Sequence, residues 1–275
     1  MFEHKLPVTL PDGYVDFFKN LESWENEELI KLRNVYAPSQ LDILEMLDET
    51  KKPLIQQINP HIDADTYREV FERLLDFLNS KRPEIGPQLD LIKNNLDQVN
   101  FENIISSFIA MQTAEIEKAA ERAAIPGELF FFVVDHALRP FLRIFAEPYR
   151  NDLTGERFYW DFSSTCPVCG SKSHFSRLQS ENGQRFMFCD RCFSEWKVRY
   201  LFCVHCGHDR PGDIRYLNVE NDEAYKLYLC DNCKGYLKTF DERPGGDMVD
   251  LFIANIETIY LDLLAQEKGY TSHDE

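Results

Sequence analysis

All eight cysteines of the chain fall in four C-x-x-C pairs: Cys166/Cys169, Cys189/Cys192, Cys203/Cys206 and Cys230/Cys233. A thiolate is a soft ligand, and tetrahedral all-sulfur sites hold zinc or iron. Two residues between the sulfurs let one tight turn aim both at a single ion. The eight thiols are enough for two closed four-cysteine sites, with none left over. The competing reading is a redox or disulfide framework. It is disfavoured because lone C-x-x-C redox motifs sit near a βαβ pattern and disulfide scaffolds are small and secreted.

Spacing suggests how the ligands group. The sequence reads C-x2-C-x19-C-x2-C, then ten residues, then C-x2-C-x23-C-x2-C. Both halves resemble zinc-site spacing, in which the pairs lie roughly 15–20 residues apart, the second being slightly long. Each gap also reads as strand: Gln184–Phe188, Glu195–Phe202 with Trp196, Val198 and Tyr200 on one face, and Ala224–Leu229. A knuckle, a hairpin and a second knuckle make a ribbon. We therefore expect two tandem ribbons, one on Cys166, Cys169, Cys189 and Cys192, the other on Cys203, Cys206, Cys230 and Cys233. Each would carry one iron or zinc ion. An interleaved cross-brace is the less favoured pairing. His205 and His208 flank Cys206 and could each replace a thiolate, but with four thiolates at hand they read better as hydrogen-bonded knuckle residues. Gly170 and Gly207 follow the second cysteine of a knuckle, where φ > 0 is often needed.

The cysteine-free part reads as helices: Tyr14–Tyr36, Ser39–Ile58 beyond Pro38, a helix capped by Asp63 and running to about Ser80, and a long one from Leu89 to Ala124 with a break near Asn100. Pro126-Gly127 opens a helix apolar on most sides, reaching Phe145, which Pro140 should kink or interrupt. After the cysteines, Asp247–Lys268 reads as one amphipathic helix with Met248, Leu251, Phe252, Ile256, Ile259, Tyr260, Leu263 and Leu264 on its apolar face, stopped by Gly269. It is expected to pack on the ribbons or the bundle, because ribbons this small bury little surface alone. The fold class is thus α+β: a helical domain (1–158), a first ribbon (159–200), a second ribbon (201–245) and a C-terminal helix (246–275).

The formal charge of −17 argues against a nucleic-acid partner, which needs a basic footprint. Lys197 with Arg199 reads as a solvated strand face. No apolar run is long enough to span a bilayer. Met1–Lys5 does not read as the start of a signal peptide, so a cytoplasmic protein is expected. The sequence has no dinucleotide fingerprint, P-loop, nucleophile elbow or H-E-x-x-H. Asp135-His136 is adjacent in a helix, so the two side chains do not face each other. No catalytic residues are assigned, and a non-enzyme is expected.

Cys166-Pro-Val-Cys169-Gly170, then Cys189-x-x-Cys192-x-x-Glu195-Trp196 leading into Cys203-x-x-Cys206, resembles the formate dehydrogenase accessory proteins, the FdhE family. Cys230-Asp-Asn-Cys233-Lys-Gly-Tyr-Leu-Lys238 and the terminal helix closing on Gly269-Tyr270 are similar to it as well. The resemblance covers residues 160–270 and, more weakly, Ile125-Pro126 to Pro140-Phe141. Arg243–Asp250 departs from it, lacking the paired acidic residues that start the family's terminal helix, so no partner contact is carried over there. The resemblance implies a helical domain followed by two rubredoxin-like modules, with iron linked to them and all eight cysteines as ligands. It also implies a maturation factor that binds the catalytic subunit of molybdenum- or tungsten-dependent formate dehydrogenase. Two other functions remain open: a rubredoxin-like iron electron carrier and, less favoured, a zinc-ribbon nucleic-acid binder. Homo-oligomerisation is open too.

Overall fold

The structure, a computed structural model, describes residues 9–36, 41–58, 60–158, 160, 163–219 and 222–273. Apolar residues at three- and four-residue spacing set the N-terminal helices. These are α1 (Tyr14–Leu32), α2 (Ile43–Thr50), α3 (Leu54–Ile58), α4 (Ala64–Lys81), α5 (Gly86–Asn94), α6 (Phe101–Ile109), α7 (Thr113–Arg122), α8 (Gly127–Ala146) and α9 (Arg150–Thr154). The Asp63 carboxylate caps α4 by accepting from the Thr66 backbone N–H at 2.8 Å, and Tyr67, Val70, Phe71, Leu74, Leu75 and Leu78 are its buried stripe. α8 is buried from Val133 to Ala146 on every side and forms the centre of the bundle.

Several expected helix limits are corrected. Pro140 does not end α8, which continues through it to Ala146. A buried helix with neighbours on all sides tolerates one lost backbone bond. The segment expected as Ser39–Ile58 divides at Lys51–Pro53, with Lys51 at φ 53, into α2 and α3; Pro38, Ser39 and Gln40 lie outside the described residues. The stretch from Leu89 to Ala124 breaks twice. Asn100 caps α6, its side chain accepting from the Asn103 N–H at 2.9 Å, and Met111 at φ 59 separates α6 from α7. The C-terminal segment starts at Asp250 rather than Asp247 and splits at Thr258 into α11 (Leu251–Glu257) and α12 (Ile259–Glu267), after a short α10 (Glu242–Gly245). The Asp250 carboxylate accepts from the Phe252 and Ile253 N–H groups, which fixes that start. Met248 is 95% and Leu263 61% exposed, so neither belongs to the apolar face assigned to them.

The strands are β1 (Phe175–Leu178), β2 (Arg185–Phe188), β3 (Glu195–Val198), β4 (Ile214–Val219), β5 (Asp222–Cys230) and β6 (Tyr236–Asp241). β3 ends at Val198, short of Tyr200. The two ribbons do not stand apart. They share one six-stranded sheet, order β3-β2-β1-β6-β5-β4, joined by the parallel pair β1–β6 with Phe175 opposite Lys238. Period-two alternation gives the sheet two buried faces. Met187, Trp196, Val198, Tyr228 and Leu237 join the core of the bundle. Phe175, Phe188, Leu227, Leu229 and Phe240 join Phe252, Leu261 and Ala265 of the C-terminal helices in a second core. Each large apolar side chain so buried contributes about 1.5–3 kcal/mol.

Glu22 of α1 gives a pH-dependent term. Burial, then the nearby Asp250 carboxylate, push its pKa from 4.5 up to about 7. The folded state therefore holds a proton that the unfolded state releases. Stability falls as pH rises from 4.5 through about 7. Glu22→Gln is expected to raise the melting temperature above that window and leave it unchanged below. Equal melting curves at both ends would contradict this.

Candidate metal centres

The cysteine sulfurs gather in two sets, Cys166, Cys169, Cys189 and Cys192, and Cys203, Cys206, Cys230 and Cys233, each with all sulfurs within 4.8 Å of one another. The sets follow chain order. Either could hold a metal ion.

The four knuckles are built alike. In each, the N–H four residues after the first cysteine donates to that cysteine's carbonyl: Gly170 to Cys166 at 3.0 Å, Phe193 to Cys189 at 2.9 Å, Gly207 to Cys203 at 2.9 Å, Lys234 to Cys230 at 2.9 Å. That residue is left-handed every time, at φ 78, 58, 73 and 60. Sequence reasoning found the glycines and missed Phe193 and Lys234. Phe193 is held there by its ring, which packs on Phe188 and Phe252 and carries the Arg143 guanidinium 3.7 Å from its centroid. Lys234 is exposed, with its ammonium 3.3 Å from Asp231 and 5.4 Å from the centroid of the Tyr270 ring. Lys234→Gly is expected to stabilise the protein by about 1 kcal/mol, because glycine carries no left-handed penalty and an exposed ion pair contributes little. Thermal unfolding checks it; a lower melting temperature would contradict it.

The first set is sealed. Its cysteines are at most 3% exposed. The Ser171 hydroxyl lies 3.1 Å from Cys169 Sγ and 3.2 Å from Cys189 Sγ, and Ser194 Oγ lies 3.2 Å from Cys192 Sγ. The bundle grips both knuckles. Leu54 and Ile55, at the start of α3, donate their N–H groups to the carbonyls of Pro167 and Val168, both at 2.9 Å. Arg139, Arg143 and Arg150 donate to the carbonyls of Asp190, Arg191 and Cys192 at 3.3, 3.4 and 3.0 Å. These bonds consume helix-start donors and knuckle acceptors that would otherwise be buried unpaired.

The same helix carries a buried charge network. Asp135 accepts from Arg139 at 2.8 and 3.0 Å and from Arg191, within the knuckle, at 2.6 Å. Burial raises the Asp135 pKa, but the Arg139 and Arg191 charges outweigh it and hold the carboxyl well below 3.8. Glu25 of α1 pairs with Arg143 and lies 2.6 Å from His136 Nδ1. Asp135 and His136 thus serve different partners and form no dyad. The arginines escaped sequence reasoning because α8 has no polar face to mark them. The trace they leave is Arg139 and Arg143 one turn apart, just after Asp135-His136, in a mostly apolar helix.

The second set is open. Cys206 is exposed and Cys233 half-buried. His205 Nε2 faces the Tyr236 carbonyl at 2.9 Å and His208 Nε2 faces Asp213 at 2.7 Å. Neither joins the sulfurs. Arg199 lies 3.5 Å from Asp209 and over the Phe202 ring, as a solvated edge should.

Both sets fit a metal ion. Four sulfurs crowded within 4.8 Å of one another repel as thiolates unless a cation compensates them. Beside the second set, Arg185 is 1% exposed and lines a small cavity together with Cys203 and Cys230. Among the described residues its Nε and Nη2 have no hydrogen-bond partner, and its guanidinium stacks 4.0 Å from the Tyr228 ring. A buried cation without a carboxylate complements an anionic metal–thiolate group. A closed four-thiolate centre leaves no position for substrate. Zinc and iron both suit the donors.

The chain matches the family model described as "FdhE, central domain" over residues 165–199 and that described as "FdhE, C-terminal domain" over residues 201–274. A "Protein FdhE homolog" of Aquifex aeolicus is 27% identical over 212 residues, 76% of this chain and 68% of that protein. One from Edwardsiella ictaluri is 33% identical over 116 residues, 41% of this chain. That match spans only 36% of the Edwardsiella protein's length. The crystal structure of the FdhE protein from Pseudomonas aeruginosa superposes with a TM-score of 0.56 over 93% of this chain and 84% of that one, at 19% identity. It shares the arrangement of helical N-terminal part and C-terminal sheet. With two four-cysteine sets on one sheet, model matches across both and relatives of the same name, the chain is similar to the FdhE family across its C-terminal part.

Proposed function

We propose that this protein is a non-catalytic accessory factor for the assembly of molybdenum- or tungsten-dependent formate dehydrogenase, and that it holds the catalytic subunit through a metal-bearing double ribbon. Similarity to the FdhE family is the observation that carries this reading. The sealed first cysteine set supports it, since a closed thiolate centre suits a scaffold better than a catalyst. On this reading the eight cysteines are metal ligands and residues 1–158, 159–200, 201–245 and 246–275 are the working units. The site of action is the cytoplasm. Among the described residues no helix is long and apolar enough to cross a membrane.

The test is affinity capture of the tagged chain from a host making formate dehydrogenase. The catalytic subunit is expected to co-purify, and Cys203→Ser is expected to weaken its recovery. Recovery no greater than from a tag-only control would reject the proposal. The exposure of Cys206 favours one second reading, a rubredoxin-like iron electron carrier. It requires a reversible one-electron couple, and a colourless zinc protein would remove it.

A further inference from the structure

The two cysteine sets have the same knuckles and opposite surroundings. Around the first, Cys166–Ser171 is buried without interruption, and a Cβ on Gly170 would lie 3.2 Å from Pro53. Arginines and helix-start N–H groups from the bundle hold its backbone. Around the second, Cys206, Gly207 and the run Asp209–Gly212 are exposed, as are Asn232 and Lys234 on the facing knuckle. A Cβ on Gly207 would meet nothing within 4 Å. Among the described residues Cys206 Sγ accepts a long side-chain contact of 3.6 Å from Asn232 Nδ2.

Ligand substitution needs an incoming donor to reach the ion while one thiolate leaves. At the first set no sulfur is accessible unless the bundle and sheet separate. At the second, Cys206 faces water and can swing out by giving up only the long Asn232 contact and a backbone bond from His208.

We propose that the second set is an exchange site, trading its metal ion with the solution through Cys206, while the ion of the first set is locked. The proposal rests on the reading of both sets as metal centres and adds a division of labour between them. In the exchange, a donor atom of the incoming ligand forms a bond to the ion as the Cys206 sulfur–metal bond breaks. Each ligand brings or keeps its own lone pair, so nothing is oxidised or reduced. The freed thiolate enters water and takes a proton from it.

The experiment uses the full chain loaded with zinc and the chromophoric chelator 4-(2-pyridylazo)resorcinol. Release is expected in two phases of equal amplitude. Their rates should differ by more than about tenfold, because only the first set requires local unfolding to open. Iodoacetamide added after the fast phase should label Cys203, Cys206, Cys230 and Cys233 and spare Cys166, Cys169, Cys189 and Cys192. Cys206→Ser should abolish the fast phase and leave the slow one intact. A single phase, or first labelling at Cys166 to Cys192, would overturn the exchange assignment alone, without touching formate dehydrogenase binding. A chain that takes up no zinc would overturn it together with the metal reading.

Discussion

Cys189→Ser is expected to cost the protein one metal ion and, with it, the docking of the helical bundle on the sheet. Structural zinc sites carry apparent binding free energies of about 10–16 kcal/mol, and that energy is folding free energy. Cys189 opens the knuckle whose carbonyls receive Arg139, Arg143 and Arg150. If the knuckle loosens, three guanidinium groups each lose a carbonyl acceptor inside the protein. The damage should therefore reach α8 and the core it centres. Cys206→Ser, at the exposed end, should lose one ion as well but leave the bundle's melting transition near that of the wild type. Metal analysis and thermal unfolding followed by helical circular dichroism compare the two. If Cys189→Ser kept two ions per chain, the grouping of the sulfurs into two sets would be wrong.

Asp135→Ala should also be strongly destabilising, without touching a cysteine. Its carboxylate is shared by Arg139 and Arg191, and the change strands both cations in the interior. Breaking a buried ion pair from one side costs about 3–5 kcal/mol. The pH dependence has a definite sign. The Asp135 carboxyl is held well below 3.8, so its contribution is fully present above that value. It is lost as pH falls further and the folded-state carboxyl takes up a proton. The wild type should thus lose stability in acid more steeply than Asp135→Ala. Urea unfolding over a pH series measures this, and parallel pH profiles would contradict it.

The sequence made some of this architecture legible and hid the rest for identifiable reasons. Local rules served well where the cause is local. Gap lengths of 19 and 23 residues leave room for a hairpin, and the sulfurs gather accordingly. Asp63 caps α4 through its own side chain. Failures came where distant contacts decide. Thr258 breaks the terminal helix by returning its hydroxyl to the Ala254 carbonyl at 2.7 Å, with no glycine or proline to announce it. Phe193 accepts a left-handed backbone because Arg143, Phe188 and Phe252 enclose its ring. The parallel β1–β6 pair joins residues more than sixty apart, so no hairpin signal could reveal that the ribbons share a sheet. The charged ring around the Cys189–Cys192 knuckle draws Glu25, Asp135, Arg139, Arg143 and Arg191 from three segments, and each alone reads as an ordinary polar residue.

The account stands on the two cysteine sets being metal centres, and counting metal tests that most directly. Elemental analysis with a visible spectrum on anaerobically purified protein should find two ions of zinc or iron per chain, one for each set. Sulfur-to-iron absorption would mark iron, and a colourless protein zinc. A fully folded chain carrying no metal, its thiols free or joined as disulfides, would contradict the account.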